Sequence, residues 1–168
     1  MQKIKAIFII LAACLASWHA FSQKSHRVTF LSVKGPLSVL DTLRGTVKHQ
    51  TQEDTVILEY EGEGVISPSH FQFALSGNFE DFTYLRKKIL FYGTRQFEVH
   101  KLIYDVSNIA DEELVLFYNS HFGLIMIKSG VSNEYKRLMS FEIGENDDLL
   151  FYLNERIIAS GEFWTNWK

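Results

Sequence analysis

Apolar residues run almost without a break through Leu114-Val115-Leu116-Phe117-Tyr118 and again through Phe122-Gly123-Leu124-Ile125-Met126-Ile127. Strands that are apolar on both faces are covered on both, so this pair is expected at the centre of an antiparallel sheet. The polar Asn119-Ser120-His121 between them reads as a hairpin loop, and Gly130-Val131-Ser132-Asn133 as the next. Tyr135 to Ile143 then alternates, with Tyr135, Arg137, Met139, Phe141 and Ile143 on one side and Lys136, Leu138, Ser140 and Glu142 on the other.

Upstream the pattern is also strand-like. Val28 to Val33 is rich in β-branched and aromatic residues and ends at Gly35-Pro36, while Leu43 to Val47 is weaker because Gly45 interrupts it. His49 to Asp54 reads as a polar turn. After it Val56, Leu58 and Tyr60 share one face, and His70 to Leu75 alternates again. Asn78 to Gly93 fits two patterns. Asn78 as an N-cap, with Glu80 and Asp81 behind it and Arg86-Lys87-Lys88 late, describes a helix. Phe82-Thr83-Tyr84 and Ile89-Leu90-Phe91-Tyr92 are strand formers, and Gly93-Thr94 would turn them into Gln96 to Tyr104, which favours a hairpin.

The periodicity changes near the C-terminus. Asn146 is a fitting N-cap, Asp147 and Asp148 complement a helix dipole, and Leu149, Leu150, Leu153, Ile157 and Ile158 recur at helical spacing before Gly161. The expected fold is mainly β: a single antiparallel curved sheet or partial barrel, with one C-terminal α-helix from about Asp147 to Ala159 packed on it.

The N-terminus adds a compartment. Lys3 and Lys5 precede an apolar stretch from Ala6 to Trp18, and Ala20-Phe21-Ser22 places small residues where a signal peptidase cuts. Residues 1–22 are therefore read as a signal peptide and residues 23–168 as one β-rich domain, periplasmic or extracellular. Leu11-Ala12-Ala13-Cys14 also resembles a lipobox, and acylation at Cys14 would anchor the chain to a membrane. The apolar continuation from Leu15 to Phe21, where a lipoprotein begins a polar tether, favours simple secretion.

Cys14 is the sole cysteine and leaves with the signal peptide, so the apolar core alone must hold the fold. The chain carries a formal net charge of −3, and losing Lys3 and Lys5 makes it more acidic. That balance argues against a nucleic-acid partner.

Motifs for chemistry are sparse. Gly62-Glu63-Gly64-Val65-Ile66-Ser67 half resembles a dinucleotide loop but has Ser67 at the third glycine and Pro68 beside it, and reads as a Gly-rich turn. No nucleophile elbow, zinc-protease helix or phosphate loop occurs, and no cofactor is expected. His26, His49, His70, His100 and His121 lie at no spacing that builds a metal site locally, so no metal is assigned. His121, at a hairpin tip beside the most apolar strands, is the candidate catalytic residue. An exposed turn histidine is its ordinary explanation. Arg86-Lys87-Lys88 reads as a charged guard on an edge strand.

Aromatic residues concentrate between positions 70 and 100. Phe71, Phe73, Phe82, Tyr84, Phe91 and Phe97 are the candidate ligand-binding set, able to line a pocket for a lipid or another hydrophobic small molecule. Filling the core of a cysteine-free β domain is the commoner fate of such residues. Phe163, Trp164 and Trp167 form a candidate partner-binding tail, because rings so close together are costly to leave in water.

The signal ending Phe21-Ser22-Gln23 and the segment Tyr118-x-x-x-Phe122-Gly123-Leu124-Ile125-x-Ile127-Lys128 resemble uncharacterised exported proteins of Bacteroidota-type bacteria. Asp41-Thr42-Leu43 and Asp54-Thr55-Val56 resemble the Asp-Ser/Thr-apolar O-glycosylation sites of such bacteria. The resemblance implies an envelope or extracellular location and brings no active-site residue.

The leading functional expectation is a non-enzymatic exported envelope protein that binds a hydrophobic ligand or a protein partner. A small periplasmic or extracellular hydrolase using His121 is the first alternative. A structural subunit of a surface assembly, making contact through Phe163 to Trp167, is the second.

Overall fold

The computed structural model describes residues 25–34, 38–62, 66, 68–105, 113–130, 132, 134–142 and 147–161. The segment read as a signal peptide, residues 1–22 with Cys14, the tail residues Phe163, Trp164 and Trp167, and the expected helix cap Asn146 lie outside the described residues.

Among the described residues nine strands follow one another: β1 (Ser25–Lys34), β2 (Ser38–Gln52), β3 (Thr55–Glu61), β4 (His70–Ala74), β5 (Phe82–Tyr92), β6 (Arg95–Tyr104), β7 (Leu114–Asn119), β8 (Gly123–Ser129) and β9 (Glu134–Phe141). The helix α1 (Asp147–Ala159) comes last. All strands belong to one antiparallel sheet in the order β4-β3-β2-β1-β9-β8-β7-β6-β5. Two meanders, β1–β4 and β5–β9, are thus joined through the pairing of β1 with β9.

The sheet curls until its edges face each other. Phe71 and Phe73 of β4 meet Phe82 of β5, with ring centroids 6.2 and 5.6 Å apart, so side chains close the seam between the two edge strands. The mainly β, curved-sheet expectation is borne out. So is the hairpin reading of residues 78–93, since β5 and β6 pair from Phe82↔Tyr104 to Tyr92↔Arg95 around Gly93. β5 is an edge strand, and its Arg86-Lys87-Lys88 run sits where charge deters pairing with another chain.

Both faces of β7 and β8 are buried, for two different reasons. The inner face packs against the other half of the curled sheet. Tyr118 of β7 meets Phe73 of β4 edge-on at 5.2 Å, and Tyr60 of β3 accepts a hydrogen bond from the Leu124 amide (3.2 Å). The outer side is covered by α1. Its Leu149, Leu150, Leu153 and Ile157 are buried, Asn154 Nδ2 donates to the Leu138 carbonyl (2.8 Å), and Tyr152 Oη donates to the Phe91 carbonyl (2.6 Å). Lys101 alternates with the inward Leu102 and is also buried, its amine 5.9 Å from the centre of the Phe117 ring. Burial pushes its pKa down to about 8.

Two details depart from simple alternation. β2 runs on to Gln52, so His49 lies inside a strand and the turn is only Glu53-Asp54. β9 carries a bulge at Met139: Phe141 pairs with Val28 and Leu138 with Phe30. One extra residue reverses the facing of a strand. Leu138 and Phe141, expected on opposite sides, therefore share the inner face.

Candidate functional site

The curled sheet gathers functional side chains at two places, one toward the β7–β8 hairpin and one toward the β8–β9 hairpin.

At the first, Asn119 fixes the turn. It is buried, its Oδ1 accepts from the amides of His121 (3.0 Å) and Phe122 (3.3 Å), and its Nδ2 donates to the Glu98 carbonyl (2.8 Å). His121 is exposed, with its ring 4.6 Å from Phe122 and 6.2 Å from Phe141. His26 also stacks on Phe141, at 4.7 Å, and its Nδ1 bonds to the Glu142 carboxylate. Glu142 has a left-handed backbone (φ 63°), one residue past the end of β9. The acid that the fold supplies therefore goes to His26 rather than to His121.

His49 completes this group. Its Nε2 is 2.9 Å from the Tyr118 hydroxyl and 3.4 Å from Thr51 Oγ1. Burial holds its pKa below the ordinary value of 6.5, and the charges of His26 and His121 push the same way. His100 lies farther in, its ring 6.0 Å from both Tyr84 and Tyr118. Its pKa is lowered by burial, against the pull of Glu98, and its Nδ1 is buried with no hydrogen-bond partner among the described residues. Among the described residues no group of three His, Cys, Asp or Glu side chains is arranged to hold a metal ion.

These two lowered histidines set a pH dependence. The unfolded chain binds protons at His49 and His100 before the folded one does, so their contribution to stability is complete above about pH 6.5 and is lost as pH falls below it. The denaturant midpoint is expected to drop between about pH 7.5 and about pH 5, and to drop less in a His49→Gln, His100→Gln variant. Equal losses in the two proteins would remove these residues from the account.

The candidate aromatic wall divides. Phe71, Phe73 and Phe82 pack on one another and on Tyr104, which is 4.8 Å from Phe82, and they fill the space between the sheet's edges. Tyr84 is on the same inner face, next to His100. Phe97 belongs to the opposite face of β6, opposite Leu90 in register and beneath the Arg95 guanidinium at 5.1 Å. Phe91 is 61% exposed near the tip of the β5–β6 hairpin. The six therefore do not line one pocket. A β-bulge at Leu85 between the Tyr84 and Arg86 pairings, invisible to a period-two reading, shifts the facing along β5.

The second place is a cleft of about 180 Å³ toward the β8–β9 hairpin. Its floor follows from register. Ser32, Lys136, Ile127 and Leu116 form one row across β1, β9, β8 and β7, and Lys34, Glu134, Ser129 and Leu114 belong to the next row out. Ile66, from the connection between β3 and β4, is buried against it, and Tyr135 completes the lining. Glu134 is turned to Lys34 of the neighbouring strand, 3.0 Å away. Lys136 is half-buried, and the loss of water lowers its pKa. Sequence reasoning missed this cleft, because Lys136 and Ser32 read as ordinary polar alternates and Ile66 as part of a turn.

No family model matches the chain, and no curated protein matches it. A LolA superfamily protein from Nitrosomonas europaea, known from its crystal structure, aligns over 78% of this chain and 91% of that one. Identity is 13% and the TM-score 0.22, a likeness that carries no argument about either protein's function.

Proposed function

We propose that this is an exported, non-enzymatic binding protein whose ligand is a hydrophobic small molecule held at the cleft beside Ile66. The observation that carries the reading is the change along the inner face. Phe30, Leu138, Phe71, Phe73, Phe82 and Tyr118 pack it closely, whereas one step toward the β8–β9 hairpin the same face opens over Ile127 and Leu114. A concave site with apolar walls and few polar groups is the general form of a small-molecule pocket. The volume is below the roughly 300 Å³ at which pockets begin to enclose a drug-sized ligand, so the cleft takes one end of a longer molecule. The signal-peptide pattern of residues 1–22 supports a periplasmic or extracellular site of action, and the chain is proposed to belong with the exported Bacteroidota-type proteins that it resembles.

Native mass spectrometry of the protein purified from its host's envelope tests this. Extra mass that disappears on organic extraction is expected, and Leu114→Trp, which fills the cleft, should abolish it while folding is retained. Apo protein throughout, or undiminished ligand in Leu114→Trp, would overturn the assignment.

A further inference from the structure

Four of the five described histidines collect at the β7–β8 hairpin end, around Tyr118 and Phe141. They stand two to each half of the sheet: His26 and His49 in the β1–β4 meander, His100 and His121 in the β5–β9 meander. Backbone pairing joins those halves where β1 meets β9, and among the described residues no ladder joins β4 to β5. Near that seam, side chains hold the halves together. Phe73 packs on Phe82 and Tyr118, and His49 Nε2 reaches from β2 to the Tyr118 hydroxyl of β7 (2.9 Å).

Charge is poorly provided for at this end. The charges of His26 on β1 and His121 on the hairpin both oppose a proton on half-buried His49. Glu142, after β9, is bonded to His26 Nδ1. Glu98, 3.9 Å from His100 Nε2, is held by Lys87 of β5 at 3.1 Å, and Lys87 is also the register partner of His100. Tyr84 of β5 and Tyr118 lie 6.0 Å from the His100 ring, while β3 sets Leu58 opposite His49 and Tyr60 two positions on. None of these phenols offers a countercharge. An imidazolium is costly to keep out of water, and parting the seam admits water to both rings.

We propose that the seam is an acid-operated gate. Protons taken up at His49 and His100 part β2–β4 from β5–β7 at this end, while every strand keeps its ladder, and bare Phe73, Phe82 and Tyr118. The gate is independent of what the cleft toward the β8–β9 hairpin holds.

N-phenyl-1-naphthylamine, a neutral probe that fluoresces in apolar surroundings, tests this. Wild-type protein is expected to brighten it as pH falls from about 7.5 to about 5.5, the range in which histidine titrates. Far-UV circular dichroism should stay constant, and amide exchange should rise in β4 before β8 and β9. The brightening should be lost in the double variant His49→Gln, His100→Gln, whose amides stay neutral. His121→Gln, at an exposed position, should move the transition to lower pH by removing one opposing charge, and it serves alone if the double variant fails to fold. The same titration in Leu114→Trp separates probe held at the cleft from probe at the seam. No brightening in the wild type, an unshifted transition in the variants, or brightening that coincides with loss of the circular dichroism signal would overturn the gate.

Discussion

Phe82→Ala is expected to destabilise the protein by about 3–5 kcal/mol, the usual cost of removing a buried phenyl ring. The residue is 5% exposed and begins the edge strand β5. Its ring touches Phe71, Phe73 and Tyr104, and so spans the seam where the sheet closes without a continuous backbone ladder. Its removal both loses transfer energy and leaves a cavity bordered by strands that can separate. Stability of a domain is of order 5–15 kcal/mol, so this one change consumes a large share. The midpoint of guanidinium unfolding should fall, and amide exchange should rise first in β4, the short strand that loses its cover. Phe91→Ala, in the same strand but 61% exposed, should stay within about 0.5 kcal/mol of wild type. Comparable losses in the two variants would show that the seam is not closed by Phe82.

Gly123→Val should cost about 2–5 kcal/mol, for two reasons that add. Gly123 has φ 77°, a region that β-branched residues enter only under strain. A Cβ there would also stand 3.3 Å from the Tyr60 hydroxyl and 3.7 Å from Leu58 Cδ2. The Tyr60 hydroxyl accepts the Leu124 amide, and burial holds the phenol well above its ordinary pKa against the opposing pull of that bond. Displacing it strands a buried amide at the start of β8. Gly93 is the natural comparison. It too has positive φ (59°), but nothing lies within 4 Å of a Cβ built there, so Gly93→Asn should cost less than about 1 kcal/mol. Thermal unfolding of the two variants side by side checks the contrast, and similar melting temperatures would refute the role given to Tyr60.

Much of the architecture was legible because it rests on composition that a strand or helix cannot disguise. The doubly apolar β7 and β8 announce coverage on both sides, and the structure supplies α1 on one and the β2–β4 half on the other. The leucines of α1 fall at helical spacing, and its described bounds match the expected ones. Asn154 was not foreseen in that buried stripe, since its role is to donate to the Leu138 and Leu150 carbonyls. The site was far less legible. A bulge changes facing without leaving a mark in composition, which is how Leu138 came to share a face with Phe141, whereas the aromatic set of β4 to β6 was split by simple alternation on β6, which turns Phe97 away from Tyr104, and by the exposure of Phe91 near the hairpin tip. His49 looked like a turn residue because its neighbours are polar, yet it reaches Tyr118 from within β2. Nor does any local pattern announce that Lys136 will meet Ser32, because their approach depends on a pairing between strands more than a hundred positions apart.

That same pairing of β1 with β9 governs the order in which the chain can fold. Each meander forms from sequence neighbours and can assemble early, whereas their union requires residues 134–141, close to the C-terminus. Non-local pairings are slow because loop-closure entropy must be met before they gain anything. Until β9 arrives, β1 presents an unpaired edge and the β1–β4 half presents Phe30, Phe71 and Phe73 to its surroundings. A nascent chain therefore cannot complete its native sheet until β9 has been made. This delay leaves the hydrophobic half-sheet in need of protection from association with other chains until the last strand is in place.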